Sequence, residues 1–328
     1  SHALAVRSIG AIQNAPGLLS FIERQYRPKR KAKPVEIAGL TFPNRIGLAA
    51  GLDKQGQMLP FLQAVGFGFV EIGTVLPRPQ TGNPRPRIFR IPQYEAICNR
   101  MGFNSEGAQK VAGRILAVRD RIRIPIGISL SRNKDTPEDK IADDCIETLE
   151  QTAVIADYFT VNVSSPNTPN LRKTEEKGPV GELIGRVKDA ERQRAARIGE
   201  KPKPVFLKFS PDIPDDAFLL SLQAAEANGA DGFVLSNTTI LPHPCLSEDY
   251  IKRRNLAGGY SGPFLYERML SRVVLARKHT KLPLIACGGI TSTARADGAF
   301  KAGANLIQIL TGFIYQGPKL VKTLASIR

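Results

Sequence analysis

The sequence predicts an α/β protein of the (β/α)8 (TIM) barrel class with a short N-terminal helical extension, and three observations carry that prediction. First, eight short apolar runs recur along the chain: Arg45–Ala50, Gly68–Gly73, Pro125–Leu130, Tyr158–Val163, Val205–Phe209, Gly232–Ser236, Leu284–Cys287 and Leu306–Leu310. Second, these runs are rich in β-branched residues and lack strict alternation, as parallel strands covered on both faces do. Third, helical patterns lie between them, and a strand followed by a helix eight times over describes a closed parallel barrel. An open doubly wound sheet is the alternative. The strand count and the lack of a Gly-x-Gly-x-x-Gly turn disfavour it.

The elements follow in chain order. Residues 1–28 are amphipathic, with Leu4, Ile9, Ile12, Leu18, Leu19, Phe21 and Ile22 interleaved with Arg7, Ser8, Gln13 and Glu23. The break at Asn14-Ala-Pro-Gly17 divides them into two short helices. Tyr26 to Pro34 reads as a basic, proline-containing linker. The expected division is therefore residues 1–32 for the helical segment and linker, and 33–328 for the barrel. Val35–Ile37 and Thr41–Phe42 read as short strands closing the bottom of the barrel. Thr136 offers an N-cap, with Pro137 at the first helical position and Glu138 and Asp139 in the first turn. Ile141, Cys145, Leu149 and Ile155 then recur at near-helical spacing. Phe218, Leu222 and Ala225 precede Asn228-Gly229, a C-cap signal, and Ala294, Phe300 and Ala302 precede Gly303.

Composition narrows the class. Of 328 residues, 42% are hydrophobic and 23% charged, a globular balance. The net charge of +16 implies a negative partner such as an anionic membrane, a nucleic acid or an acidic substrate. The excess is concentrated early: Arg7, Arg24, Arg27, Lys29, Arg30, Lys31 and Lys33 face only Glu23 within residues 1–33. The cysteines at 98, 145, 245 and 287 show no CxxC spacing, so free thiols in a reducing compartment are expected. With three histidines, no metal site is expected. No stretch approaches the roughly 20 apolar residues that a membrane-spanning helix needs.

A barrel of this kind carries its active site at the C-terminal ends of the strands. That rule selects Ala50-Gly51-Leu-Asp53-Lys54, Gly73-Thr74, Ser129 to Asn133, Asn162 to Thr168, Lys208, Ser236 to Thr239, Gly288-Gly289 and Thr311-Gly312. The set is rich in amides and hydroxyls and has two lysines. It lacks the carboxylate pair of a glycosidase and any histidine. It suits a planar, hydrogen-bonding anion. The paired glycines and Thr311-Gly312 suit a phosphate-bearing cofactor.

Several of these stretches resemble the signatures of the dihydroorotate dehydrogenase family, in the family's order: Ala49-Ala-Gly-Leu-Asp-Lys54, Glu71-Ile-Gly-Thr74, Asn99-Arg-Met-Gly-Phe-Asn104, Asn162-Val-Ser-Ser-Pro-Asn-Thr168, Asn237-Thr-Thr239 and Gly288-Gly-Ile290. The resemblance implies oxidation of dihydroorotate to orotate in de novo pyrimidine biosynthesis, with FMN as cofactor. It implies flavin contacts from Ala50, Gly51, Lys54, Thr74, Ser129, Asn162, Lys208, Ser236 and Leu310. The phosphate would lie at Gly262, Gly289 and Thr311. Substrate would be held by Lys54, Asn99, Arg100, Met101, Gly102, Phe103, Asn162, Asn167, Asn237 and Thr238. Cytosolic members use a cysteine as base and quinone-linked members a serine. This chain has Ser165 there, and residues 1–28 are similar to the two-helix quinone tunnel of the quinone-linked class. His2 and Arg90 match the tunnel's inner end.

The same resemblance implies a peripheral membrane protein, at the inner face of the bacterial cytoplasmic membrane or on the mitochondrial inner membrane in a eukaryote. It would be monomeric, with a membrane quinone as acceptor and an anionic lipid surface as partner. No nucleic-acid partner is expected, because the tRNA dihydrouridine synthases, the flavin barrels that bind RNA, use a catalytic cysteine. A non-catalytic binding barrel would not need Lys54, Asn99, Ser165, Asn167 and Asn237. Ser164 reads as a backbone cap beside Pro166, and Ser165 does not. Ser129 stands where relatives have an asparagine, Ser131-Arg132 where they have Gly-Lys, and Leu310 where many have a tyrosine.

Overall fold

The computed structural model describes residues 9–327 apart from 11, 14, 16, 29–31, 169–170, 173–176 and 245. His2 and Cys245 therefore lie outside the described residues. Among the described residues thirteen strands form three sheets. A hairpin of β1 (Val35–Ile37) and β2 (Leu40–Phe42) comes first. The barrel strands are β3 (Ile46–Leu48), β4 (Phe69–Val75), β7 (Ile126–Leu130), β8 (Tyr158–Asn162), β9 (Val205–Phe209), β10 (Gly232–Leu235), β12 (Leu284–Cys287) and β13 (Leu306–Ile309). They pair in parallel in that order, and β13 pairs back to β3, so the barrel closes. These are the eight apolar runs of the sequence, with no end displaced by more than two residues.

Strand parity builds the barrel in layers. On the lowest inward level Phe69, Tyr158, Phe206 and Leu306 join Val234, Ile285 and Phe42 of the hairpin. Edge-on ring packing links Phe42 to Phe69 and Tyr158 to Phe206, with centroids 5.2 and 5.5 Å apart. Two residues further along the same strands stand Glu71, Thr160, Lys208 and Gln308, all buried. Two further again come Gly73, Asn162 and the loops of the upper end. Residues of opposite parity, among them Val70, Ile72, Ile128, Phe159, Val161 and Leu207, pack outward into the main core under the helices. The strands lack plain alternation because the inward face carries aromatic, polar and site residues in turn, while the outward face stays apolar.

The helices after the barrel strands include α2 (Leu59–Ala64), α3 (Ala108–Leu116), α4 (Ile141–Thr152), α5 (Lys177–Arg197), α6 (Asp215–Ala227), α8 (Tyr266–His279), α9 (Thr293–Lys301), α10 (Thr311–Gln316) and α11 (Pro318–Leu324), with the short α7 (Glu248–Arg253) set in a loop. Gly229 and Gly303 take φ of +89° and +110° past the ends of α6 and α9, as their C-cap signals require. Thr136 is not an N-cap. The segment enters α4 through a 3-10 turn at Glu138–Lys140. The Thr136 hydroxyl instead donates to the buried Asp144 carboxylate at 2.7 Å and accepts from Arg78 Nη2 at 2.8 Å. A buried carboxylate binds that hydroxyl more strongly than a helix end does.

Of the N-terminal segment, residues 9–10 and 12–13 are helical, and α1 (Leu18–Tyr26) follows Gly17. α1 packs against α2 and α11. Lys322 Nζ donates to Gln25 O at 2.7 Å, and the Gln13 amide bridges Gln57 O and Phe61 N at 2.9 and 3.1 Å. One feature absent from the sequence reading is a three-stranded antiparallel sheet of β5 (Ile88–Ile91), β6 (Ala96–Asn99) and β11 (Gly259–Ser261) above the barrel. Its strands are short, and β6 pairs with a partner far along the chain, so no local pattern announces it.

Candidate active site

The upper end of the barrel encloses a cavity of about 890 Å3, large enough for a cofactor and a small substrate together. Strand register sets polar groups side by side: Asn162 stands beside Lys208 and Cys287 beside Gln308. Ala50, Gly51, Lys54, Thr74, Asn162 and Lys208 line it, as do Gly262, Gly289, Leu310 and Thr311. Asn99, Met101, Gly102, Phe103, Ser165, Asn167, Asn237 and Thr238 face the same space. Residues scattered from 50 to 311 in the sequence thus converge.

The converging amides are held in place by one another. Asn167 Nδ2 donates to Asn99 O at 3.2 Å, and Asn237 Nδ2 to Ser164 Oγ at 2.7 Å. Asn162 Nδ2 donates to Thr74 Oγ1 at 3.1 Å, and its Oδ1 accepts from Ser164 Oγ at 2.8 Å. Ser164 is therefore a strut between two amide side chains, not a backbone cap. Ser165, expected not to cap, does accept the backbone N–H of Asn167 at 3.3 Å. That bond uses a lone pair, and the hydroxyl proton meets no protein acceptor among the described residues.

Lys54 carries the electrostatic signature. It is buried, and its ammonium meets neither an acidic partner nor a hydrogen-bond acceptor among the described residues. Burial, with the repulsion of Arg87, pushes its pKa down to about 8. Asp53 beside it does not compensate: its carboxylate caps Gln57 N and Met58 N at 2.8 Å, and burial pushes its pKa up. Lys208, by contrast, lies 3.8 Å from Glu71 Oε1. Glu71 also accepts from Thr160 Oγ1 at 3.0 Å and Gln308 Nε2 at 2.8 Å. Sequence reasoning missed Glu71, Thr160 and Gln308. A polar residue inside an apolar strand, as in Val70-Glu71-Ile72 and Ile307-Gln308-Ile309, is the signal that could have found them.

Three expected site residues stand elsewhere. Arg100 points away from the cavity: its guanidinium donates to Asn255 O at 2.7 Å and Pro86 O at 3.0 Å, and lies over Phe89. It braces the loops that flank the small antiparallel sheet, through the carbonyls of Pro86, Asn255 and Ala257. Ser129 lies behind Thr74, its hydroxyl 3.0 Å from Thr74 Oγ1. Ser236 turns its hydroxyl to Cys287 O at 3.3 Å. Neither serine lines the cavity: both have the inward parity, but the Ser129 hydroxyl is taken up by Thr74 and the Ser236 hydroxyl by the Cys287 carbonyl.

An apolar part of the lining comes from other elements: Ile9, Leu52 and Phe61 near the N-terminal segment, Ile88 on β5, Ile314 in α10 and Pro318 in α11. Arg90 borders this part, donating to Ile314 O at 3.3 Å beneath Tyr315. At the other side the backbone N–H groups of Gly262 and Gly289 meet no protein acceptor among the described residues. Gly289 has φ +65°, and a Cβ there would lie 2.4 Å from Tyr266 N. This tight backbone cradle with free donors fits a phosphate.

Fold and cavity together define a class: a (β/α)8-barrel enzyme whose catalytic end receives a small anion. The dihydroorotate dehydrogenase family profile matches residues 33–326, and the chain belongs to that family, which is one of flavoenzymes. A dihydroorotate dehydrogenase (quinone) of Stenotrophomonas maltophilia strain K279a is 43% identical over 292 residues, covering 88% of this chain and 81% of that protein. One of Pseudomonas aeruginosa strain LESB58 is 40% identical over 331 residues, covering 98% and 92%. The crystal structure of the Eimeria tenella enzyme in complex with ferulenol superposes with a TM-score of 0.83 at 32% identity, covering 94% of this chain and 88% of that one.

Proposed function

We propose that this protein oxidises (S)-dihydroorotate to orotate, with FMN as the bound hydride acceptor and a membrane quinone as the final oxidant, in de novo pyrimidine biosynthesis. The observation that carries this reading is Lys54, a buried cation facing the cavity with no counter-charge among the described residues. Such a group is stable when a ligand carboxylate completes the pair.

Lys54 binds the carboxylate of the substrate. Asn99, Asn167 and Asn237 each offer a donor and an acceptor, matching the alternating N–H and C=O groups of the substrate ring. Ser165 takes the proton from C5. The bond electrons released there form the C5–C6 double bond as a hydride leaves C6. When bound, FMN supplies the two-electron acceptor for that hydride. A serine hydroxyl is a weak base, and two features of the chain favour its anionic form: the Asn167 N–H aimed at Oγ and the positive field of Lys54. The cradle at Gly262 and Gly289 holds the cofactor phosphate, and Lys208, with Glu71 behind it, faces the ring system.

The apolar part of the lining admits the quinone, and Arg90 at its border offers the polar contact for a quinone oxygen. Leu18 and Phe21 are exposed on α1, beside the basic linker. Together they dock a monomer peripherally on an anionic membrane. No helix among the described residues is long and apolar enough to cross a membrane.

The test is anaerobic mixing of the purified holoprotein with dihydroorotate, then with a soluble quinone, while following the visible absorbance of the flavin. Bleaching followed by quinone-driven recovery is the expected result. An absent flavin, or one that dihydroorotate leaves oxidised, overturns the reading.

A further inference from the structure

We propose that Arg172 is a positioning residue for proton transfer, setting Ser165 against the substrate-binding amides by clamping three loops with one guanidinium. The inference rests on the reading of Ser165 as the base. Arg172 Nε donates to Ser164 O at 3.0 Å, Nη1 to Asp212 Oδ2 at 2.8 Å, and Nη2 to Thr238 O at 2.9 Å. These acceptors lie in the loops that follow β8, β9 and β10. The Ser164 carbonyl belongs to the peptide group that leads into Ser165, so fixing it fixes the plane from which the Ser165 side chain departs. The Thr238 carbonyl follows Asn237, whose amide already grips the Ser164 hydroxyl at 2.7 Å. Ser164 is thus held at both its carbonyl and its side chain, one residue from the base.

The clamp has a rigid anchor. The Asp212 side chain is 11% exposed. It also accepts from Ile240 N and Arg268 Nη1, each at 2.8 Å, and from the Thr239 hydroxyl. Arg172 itself reaches no cavity surface. A plain surface ion pair would end on the carboxylate. Here two of the three bonds run past it to backbone carbonyls beside the base and beside a substrate amide. The planar fork of arginine can point donors in three fixed directions at once, which a lysine ammonium on a flexible stem does not do. Displacing a reacting group by about 1 Å can cost on the order of a hundredfold in rate. The clamp therefore acts on the chemical step more than on binding.

The experiment compares wild type, Arg172→Ala, Arg172→Lys and Arg268→Ala as holoproteins. It measures the rate of anaerobic flavin bleaching by dihydroorotate, the C5-deuterium isotope effect on that rate, bound flavin, and orotate Kd. Arg172→Ala is expected to bleach at least about tenfold more slowly, with a larger C5 isotope effect and with flavin content and orotate Kd close to wild type. Added guanidinium ion should restore part of its rate. Arg172→Lys keeps the charge beside Asp212 but loses the carbonyl bonds, so it should also be slow. It carries the test if the alanine variant does not fold. Arg268→Ala, which touches Asp212 but neither clamped carbonyl, should bleach near the wild-type rate. An unchanged rate and isotope effect in Arg172→Lys overturn the proposal. So does a parallel loss of flavin, orotate affinity and rate with the isotope effect unmoved, which marks a merely structural role. A wild-type flavin that dihydroorotate does not bleach overturns the reaction itself, a result separable from either.

Discussion

At the scale of single residues, Ser165 and Lys54 divide the work between proton transfer and charge. Ser165→Ala removes the base and little else, since Ser164 rather than Ser165 ties the amides together. The variant should purify with its flavin and bind orotate. Its bleaching by dihydroorotate should fall by about 10²–10⁴-fold, the usual worth of a positioned general base. Undiminished bleaching would remove Ser165 from the mechanism. Lys54 makes a pH prediction. Its folded-state pKa is lowered to about 8 from 10.5, so the unfolded chain binds the extra proton between those values. The empty protein therefore gains stability as pH rises through that window. Orotate binding runs the other way, because the carboxylate selects the ammonium form. Orotate Kd should be level below pH 8 and weaken above it, by up to about tenfold per pH unit. Lys54→Met should bind weakly with that pH dependence gone. A titration in which wild type and Lys54→Met share one profile would exclude Lys54 as the carboxylate partner.

At the scale of elements, the site depends on where backbone comes close. Gly289 ends the run from β12 in a left-handed conformation against the start of α8. In Gly289→Ala the methyl would meet Tyr266 N at 2.4 Å, on a backbone that costs an L-residue roughly 1–2 kcal/mol. The cradle would open and lose its donors. Apoprotein carrying this change should lose affinity for FMN by more than it loses affinity for riboflavin, which lacks the phosphate. Equal losses for both flavins would place the phosphate elsewhere. The elements also show why part of the site was legible and part was not. Lys54, Asn162, Lys208 and Asn237 stand at or just past the ends of strands that the apolar runs mark, so the strand-end rule finds them. Arg100 stands in a motif beside true lining residues. Only the small sheet of β5, β6 and β11, assembled from distant segments, turns its side chain outward. Ser129 and Ser236 are strand ends too, and have the inward parity, but contacts to Thr74 and to the Cys287 carbonyl, made across neighbouring strands, keep their hydroxyls off the cavity.

At the scale of the whole molecule, the +16 charge is uneven, and its densest stretch adjoins the helical segment that borders the apolar part of the cavity. If that surface docks on membranes, binding to vesicles rich in anionic lipid should be strong at low salt and weaken as salt is added, because screening shortens the reach of the basic residues. Binding to neutral vesicles should be weaker throughout. Equal, salt-insensitive binding to both would assign docking to the exposed Leu18 and Phe21 alone.

The sequence by itself determined the barrel and its strands, because parallel strands buried on both faces must read as apolar runs. It determined the chemistry offered at the catalytic end, since that end is set by strand direction. Only the tertiary structure decided which polar side chains face the cavity. It alone showed that Lys54 has no counter-charge among the described residues while Lys208 has Glu71, and that Arg172 reaches the loops holding Ser165 and Thr238. Those are relations between residues far apart in the chain, fixed by the closing of the barrel and invisible to any local pattern.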